Sequence, residues 1–214
     1  VRHLTGVTSA DVRARLAPHV IDLDPSSWVA LLPRWRANQD LDAMIADLPL
    51  RAELLRIAGR EIPTPRRTSW HGDPHASYAY SGRTFAPSPW TPALSAVRDA
   101  LALTTGVCFD AVLVNDYRDG NDSMGYHADD EPELGPDSPH DVLVASVSLG
   151  APRKFLMRSK KGHAKHAWTL GDGDLLVMGG ATQHRFVHAV PKTARPVGRR
   201  VNLTFRIVRS APPS

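Results

Sequence analysis

Two periodicities divide the chain. From Val107 onward, the segments AVLVNDY, DVLVASVSLG, RKFLMR, DLLVMGG, HRFVHAV and RVNLTFRIV are rich in Val, Leu and Phe and are separated by Gly, Asp and Pro. Such runs predict short strands, and six or more of them close together predict an antiparallel sandwich or barrel of the jelly-roll kind. Before residue 107 the pattern is mixed. A helix is expected over Leu41–Leu48, capped by Asp40 and ended by Pro49. A second begins at Thr91 and Pro92, repeats Leu94, Val97 and Leu101 at helical spacing, and closes at Gly106. Between them, Pro63, Pro65, Pro74, Pro87 and Pro89 break up a basic, aromatic stretch that reads as short strands and loops outside the core. The expected fold is mainly β with flanking helices: an N-terminal extension over 1–106 and a double-stranded β-helix core over 107–210, forming one compact unit.

Alternation within single strands places the chemistry. Side chains two apart share a face. In the last strand Val201, Leu203, Phe205 and Ile207 point one way, and Arg200, Asn202, Thr204 and Arg206 the other. If that second face lines a barrel interior, two guanidiniums and an amide converge on an anion, and an arginine fork suits a carboxylate. In DVLVASVSLG one face changes from apolar to hydroxyl-bearing at Ser146 and Ser148. His127 and Asp129 leave one face of an extended segment, and His184, Phe186 and His188 share a face of a later one. Parity alone does not choose between the two later histidines. Either completes a two-His-one-carboxylate set, which leaves open metal positions and is associated with non-haem Fe(II) oxygenases.

Composition narrows the rest. The 214 residues suffice for one buried domain, and 42% hydrophobic with 22% charged residues is ordinary for a globular protein. A net charge of +4 favours an anionic partner. The single cysteine, Cys108, excludes a disulfide framework or Cys-rich zinc site, and its place between Val107 and Phe109 predicts a small buried hydrophobe. No apolar run approaches the roughly twenty residues that cross a bilayer, and the first residues lack an apolar signal core. A cytoplasmic setting is expected. The glycine-rich signatures of the nucleotide-cofactor folds are missing.

The motifs, taken in order, resemble the AlkB family. Asn-x-Tyr-x-x-Gly-x-Asp (from Asn115) runs into His127-x-Asp129, followed by Phe186-x-His188 and Arg200-x-Asn202-x-Thr204-Phe205-Arg206. Gly72-Asp73 before Tyr78-x-Tyr80-Ser-Gly, and the run HADDE, place the likeness nearest the DNA-acting homologues. The resemblance implies Fe(II), 2-oxoglutarate and O2 as cofactors, with His127, Asp129 and His188 as iron ligands. Arg200 and Arg206 would hold the cosubstrate's carboxylates, with Asn115, Tyr117, Ser146 and Asn202 around it. Arg206 joins the three ligands as the catalytic set. The N-terminal part would act as a nucleotide-recognition lid. There Trp70 and Tyr80 would stack on a flipped base against His127, and Tyr78 and Glu131 would meet its edge. Arg66, Arg67, Arg83, Arg158, Lys160 and Lys161 would meet phosphates.

The implied reaction is oxidative demethylation of N-alkylated bases such as 1-methyladenine and 3-methylcytosine in DNA, a repair activity releasing formaldehyde, succinate and CO2. RNA (tRNA) is the alternative substrate, and a non-catalytic nucleic-acid-binding module the alternative class. Ile57-Ala58-Gly59 stands where the double-strand-acting relative carries a bulky wedge. Ala58 is too small to insert between bases, which favours single-stranded DNA. A monomer without membrane attachment is expected.

Overall fold

A computed structural model describes residues 7–57, 60–80, 83–131 and 142–208. The N-terminal half contributes strands β1 (Val20–Asp24), β2 (Ser27–Leu32), β3 (Leu54–Ile57), β4 (Arg60–Pro63), β5 (Arg67–Gly72), β6 (Tyr78–Tyr80) and β7 (Arg83–Phe85). The later strands are β8 (Ala111–Tyr117), β9 (Met124–His127), β10 (Val144–Gly150), β11 (Arg153–Ser159), β12 (Lys165–Leu170), β13 (Leu175–Gly180), β14 (Phe186–Val190) and β15 (Arg200–Arg206). Helices are α1 (Ser9–Arg15), α2 (Leu41–Ile45), α3 (Pro92–Thr105) and α4 (Thr182–Arg185). A seven-stranded sheet runs β1-β2-β13-β10-β15-β8-β5, a four-stranded sheet runs β12-β11-β14-β9, and β3-β4 and β6-β7 form separate hairpins. The strand pairings are antiparallel, as a jelly roll requires.

The predicted alternation holds in space. Val201, Leu203 and Phe205 of β15 join Ala145, Val147 and Leu149 of β10 in one apolar cluster, which the helices cover through Val12, Leu16, Leu94, Val97 and Leu101. Leu94, Val97 and Leu101 are fully buried, each contributing about 1.5–3 kcal/mol through removal of its apolar surface from water. Helix α3 starts and stops as expected: Thr91 accepts from Leu94 N–H, and Gly106 takes the left-handed conformation (φ 79°) that ends it. Helix α2 is shorter than expected, ending at Ile45, although Asp40 caps it through Ala43 N–H. Among the described residues no helix is long and apolar enough to cross a membrane.

Several expectations need correction. The stretch between the two helices is not wholly peripheral, because β5 pairs with β8 and is largely buried. The boundary at residue 106 does not separate the sheets, because β1, β2 and β5 all belong to the seven-stranded one. Strand β2 lacks alternation because it is buried on successive positions, Ser27 to Ala30. Cys108 is exposed, since the link from α3 to β8 turns its side chain outward between the buried Val107 and Phe109. His184 lies in α4, a helical turn before β14, so it does not share a strand face with His188. In addition, β12 crosses a segment in which no strand was expected, and its alternating burial shows it covering only one face.

His71 of β5 is buried, with its ring bonded to Ser69 Oγ and Pro89 O at 2.7 Å each. Burial holds its pKa below the ordinary histidine value. The unfolded chain therefore takes up the proton first. This contribution to stability is complete above about pH 6.5 and is lost as the pH falls from there towards the folded value. Denaturant midpoints of the metal-free protein should drop between pH 7.5 and 5.5, and His71→Gln should flatten that drop. An unchanged slope in the variant would refute the assignment.

Candidate metal centre and anion clamp

The two sheets bring their inner faces around a cavity of about 1140 Å³. Strand β9 ends at His127, and β14 sets His188 directly opposite it in register. Their rings are 4.3 Å apart between centroids. Asp129 follows in the loop after β9 and is buried. His127 Nε2 lies 3.9 Å from one Asp129 oxygen and His188 Nε2 3.7 Å from the other. Among the described residues these three form the group able to hold a metal ion, with one ligand atom from each within 4.8 Å of the others.

The local electrostatics suit a cation. His127 Nδ1 lies 2.9 Å from Gly125 O, an arrangement in which Nδ1 carries the proton and Nε2 keeps its lone pair for a metal. Burial, reinforced by His127, pushes His188 down to about 3, so its imidazole is neutral and ready to ligate at neutral pH. Burial alone would raise Asp129, but Arg206, His188 and His127 together hold it below the usual carboxylate range. Arg206 makes a direct charged hydrogen bond to the Asp129 carboxylate, fixing that carboxylate's orientation from β15. Two imidazoles and one carboxylate in this arrangement fit an oxygen-using Fe(II) site.

A second feature lies deeper. Arg200 is 1% exposed. Its Nη2 donates to Ser148 Oγ at 2.8 Å, and its guanidinium lies 5.2 Å from the Tyr117 ring centre. Among the described residues its Nε and Nη1 have no hydrogen-bond partner, and neither has Arg206 Nε. Burial lowers the Arg200 pKa, though not enough to neutralise a guanidinium. A buried cation with unsatisfied N–H groups is costly unless an anion completes it. Around it, Asn202 Nδ2 donates to Ser146 Oγ (2.8 Å) and Val147 O (3.0 Å), while its Oδ1 accepts from Thr204 (3.0 Å). These bonds leave Arg200 Nε and Nη1, with Arg206 Nε, as cationic donors without a partner among the described residues, and such a pair fits a dicarboxylate such as 2-oxoglutarate.

Of the residues singled out from sequence, Asn115, Tyr117, His127, Asp129, Ser146, His188, Arg200, Asn202 and Arg206 all line this one cavity, as do Arg66, Trp70 and Glu131. Arg66 is turned inward, donating from Nε to Asn115 Oδ1 at 2.7 Å, and is not available to an outer phosphate. Arg67 is tied to the buried Asp116 at 2.6 Å. Trp70 Nε1 donates to Ala76 O at 2.9 Å, which sets its ring in the cavity wall. Glu131 Oε2 is buried without a partner among the described residues; burial pushes its carboxyl up, aided by Asp129 and opposed by Arg206. Tyr78 and Tyr80 stand on β6, but their side chains, like that of Arg83, lie outside the described residues, as does Ala58. Sequence reading left Ser148 and Thr204 unassigned although alternation put both on the polar faces. It missed Gln183, whose Oε1 accepts from Asp129 N–H at 3.0 Å, because a helical turn between strands carries no periodic signal.

A jelly roll with a two-His-one-carboxylate group beside a buried arginine clamp defines a class of metal-dependent oxygenases. Residues 29–206 match the family model described as the 2OG-Fe(II) oxygenase superfamily. The chain is 40% identical over 160 residues to the DNA oxidative demethylase ALKBH2 of Bos taurus, covering 71% of this chain and 56% of that protein. It is 36% identical over 218 residues to the alpha-ketoglutarate-dependent dioxygenase alkB homolog 3 of Rattus norvegicus, covering 97% and 67% respectively. A solved structure, that of OsALKBH1, superposes with a TM-score of 0.59 at 20% identity, over 88% of this chain and 99% of that one, and shows the shared fold. The chain therefore belongs to the AlkB homologues of the 2OG-Fe(II) oxygenase superfamily. The matches span 56% to 65% of the length of the ALKBH2 proteins of cattle, mouse and human.

Proposed function

We propose that this protein is an Fe(II)- and 2-oxoglutarate-dependent dioxygenase that oxidatively demethylates N-alkylated bases in nucleic acid. The observation that carries this reading is the meeting, in one cavity, of the His127–Asp129–His188 group with a buried arginine, Arg200, whose Nε and Nη1 lack a hydrogen-bond partner among the described residues. His127, Asp129 and His188 would hold the iron. Arg200, supported by Ser148 and Tyr117, would bind one carboxylate of 2-oxoglutarate, and Arg206 would add charge while keeping Asp129 in place. The bound iron and cosubstrate supply the oxidation. The chain's own work is to keep His188 unprotonated, to hold the Asp129 carboxylate in one orientation, and to surround the reacting methyl group with walls that exclude bulk water.

Several features favour a nucleic-acid substrate. Trp70 gives the cavity wall a flat aromatic surface on which an extruded base can stack, and Glu131 brings a carboxyl to the same space. Outside, Tyr126 precedes the ligand His127, is 45% exposed, and carries the Arg158 guanidinium 4.2 Å over its ring. An aromatic face beside a cation suits the bases and phosphates of a flanking strand. The likeness to DNA oxidative demethylases makes DNA the first choice, with single-stranded DNA preferred because Ala58 offers no wedge.

Anaerobic loading with Fe(II) and 2-oxoglutarate, then air and oligonucleotides bearing 1-methyladenine or 3-methylcytosine, should yield substrate-dependent succinate and equimolar formaldehyde. Single-stranded DNA should react faster than the duplex. No substrate-dependent succinate on any methylated DNA or RNA would overturn the proposal, equal rates on both strand forms would remove the strand preference, and faster turnover of methylated RNA would move the substrate to RNA.

A further inference from the structure

The Asp129 carboxylate is fixed by Arg206, but its main chain needs separate anchoring. Strand β9 ends at His127, and Asp129 has no strand partner of its own. Its N–H donates to Gln183 Oε1 at 3.0 Å. Gln183 is 1% exposed, and its Nε2 reaches Met178 Sδ at 3.4 Å, so both ends of the amide are engaged and its flip state is set. The turn that bears it is itself immobilised. Thr182 is fully buried, and its hydroxyl accepts from Trp28 N–H at 3.1 Å and shares its one proton between Gly179 O at 2.6 Å and Trp28 O at 3.0 Å. Glycine at 179 permits this packing, because a Cβ there would lie 2.2 Å from the Trp28 ring.

Gln183 also has a meaningful place in the chain. It sits in α4, between β13, whose Met178 lines the cavity, and β14, which carries His188. The amide therefore ties the loop bearing one metal-ligating group to the turn that leads into the strand bearing another. Without it, Asp129 would remain attached to the fold through its carboxylate contact with Arg206, and its backbone would hold a buried, unsatisfied N–H.

We infer that Gln183 is a positioning residue of the metal centre: through the Asp129 N–H it sets the separation between Asp129 and His188, and thereby the affinity of the site for its metal. The inference rests on the reading of His127, Asp129 and His188 as metal ligands. Groups that orient a ligand from outside the coordination sphere commonly change metal affinity by roughly 10- to 100-fold when removed.

Manganese(II), stable in air, serves as the probe, with binding measured by calorimetry on the folded metal-free protein. Gln183→Met, a side chain of similar length without an acceptor oxygen, should weaken Mn(II) binding by about tenfold or more. Gln183→Glu, which restores an acceptor oxygen to Asp129 N–H, should recover most of the loss. If Gln183→Met does not fold, Gln183→Asn, whose shorter amide draws the oxygen away from Asp129, takes its place in the comparison. Wild-type affinity in the Met (or Asn) variant overturns the inference. Equal weakening in that variant and in Gln183→Glu also overturns it, because packing and not the acceptor would then matter. Failure of the wild-type protein to bind Mn(II), with Asp129→Ala indistinguishable from it, would instead overturn the metal-centre reading beneath it.

Discussion

His188→Ala is expected to abolish substrate-dependent succinate formation and to weaken metal binding by more than about 100-fold, beyond the range seen when only an outer-sphere partner is lost. The imidazole is already neutral in the folded protein, so a metal bound there would displace no proton, and the substitution would take away a ligand that needs no deprotonation at neutral pH. The variant should still fold. His188 lies between two neighbouring rings, 4.3 Å from His127 and 5.2 Å from Phe155, and the gap it leaves is bounded by the existing cavity. His184→Ala supplies the contrast. His184 stands on the preceding helical turn and should leave metal affinity and turnover near wild type. Turnover retained in His188→Ala, or lost in His184→Ala alone, would reverse the ligand assignment.

Arg200→Met should separate cosubstrate binding from metal binding. Arg200 is buried, donates to Ser148, and keeps Nε and Nη1 without partners among the described residues. Deleting one member of a buried charged pair costs roughly 2–5 kcal/mol in binding, so 2-oxoglutarate affinity should fall by roughly 30-fold or more. The ligand-free protein should lose little and can gain stability, because a buried cation with unmet hydrogen bonds is replaced by an apolar side chain of similar length. Thermal shift gives a direct readout. At 2-oxoglutarate about 100 times the wild-type Kd the wild type gains about 2.7 kcal/mol, whereas a variant with a roughly 30-fold higher Kd gains only about 0.9 kcal/mol at that concentration. Metal affinity should be kept. Arg206→Met should behave differently, because it also strips Asp129 of its charged partner and should weaken metal and cosubstrate together. An undiminished 2-oxoglutarate shift in Arg200→Met would remove this residue from the clamp.

The fold and the site were legible to different degrees. Strands β8, β10, β11, β13, β14 and β15 were legible as Val-, Leu- and Phe-rich runs between turn residues, and helix α3 from its periodicity, whereas β12, whose pattern is mostly polar, was not. Strand β2 was not legible, since a strand buried on both faces shows no alternation, and proline punctuation hid β5, an edge strand of the large sheet. Cys108 shows the converse error. Its apolar neighbours implied burial, but a connecting segment need not alternate as a strand does.

What the sequence determines by itself is the chemistry available: histidine and carboxylate in a short extended segment, a later histidine, and two arginines two positions either side of Asn202 and Thr204. Period-two alternation fixes which side chains share a face, and this is a local property of an extended chain. The tertiary structure decides which faces meet. Register across β9 and β14 sets His188 against His127, and the helical turn at 182–185 takes His184 off that face. Closure of the sheets turns Arg66 inward, buries Arg200 with its Nε and Nη1 unpaired among the described residues, and brings Gln183 to the backbone of Asp129. Those outcomes depend on contacts between residues far apart in the chain, where desolvation and hydrogen-bond geometry, not local periodicity, set the energy.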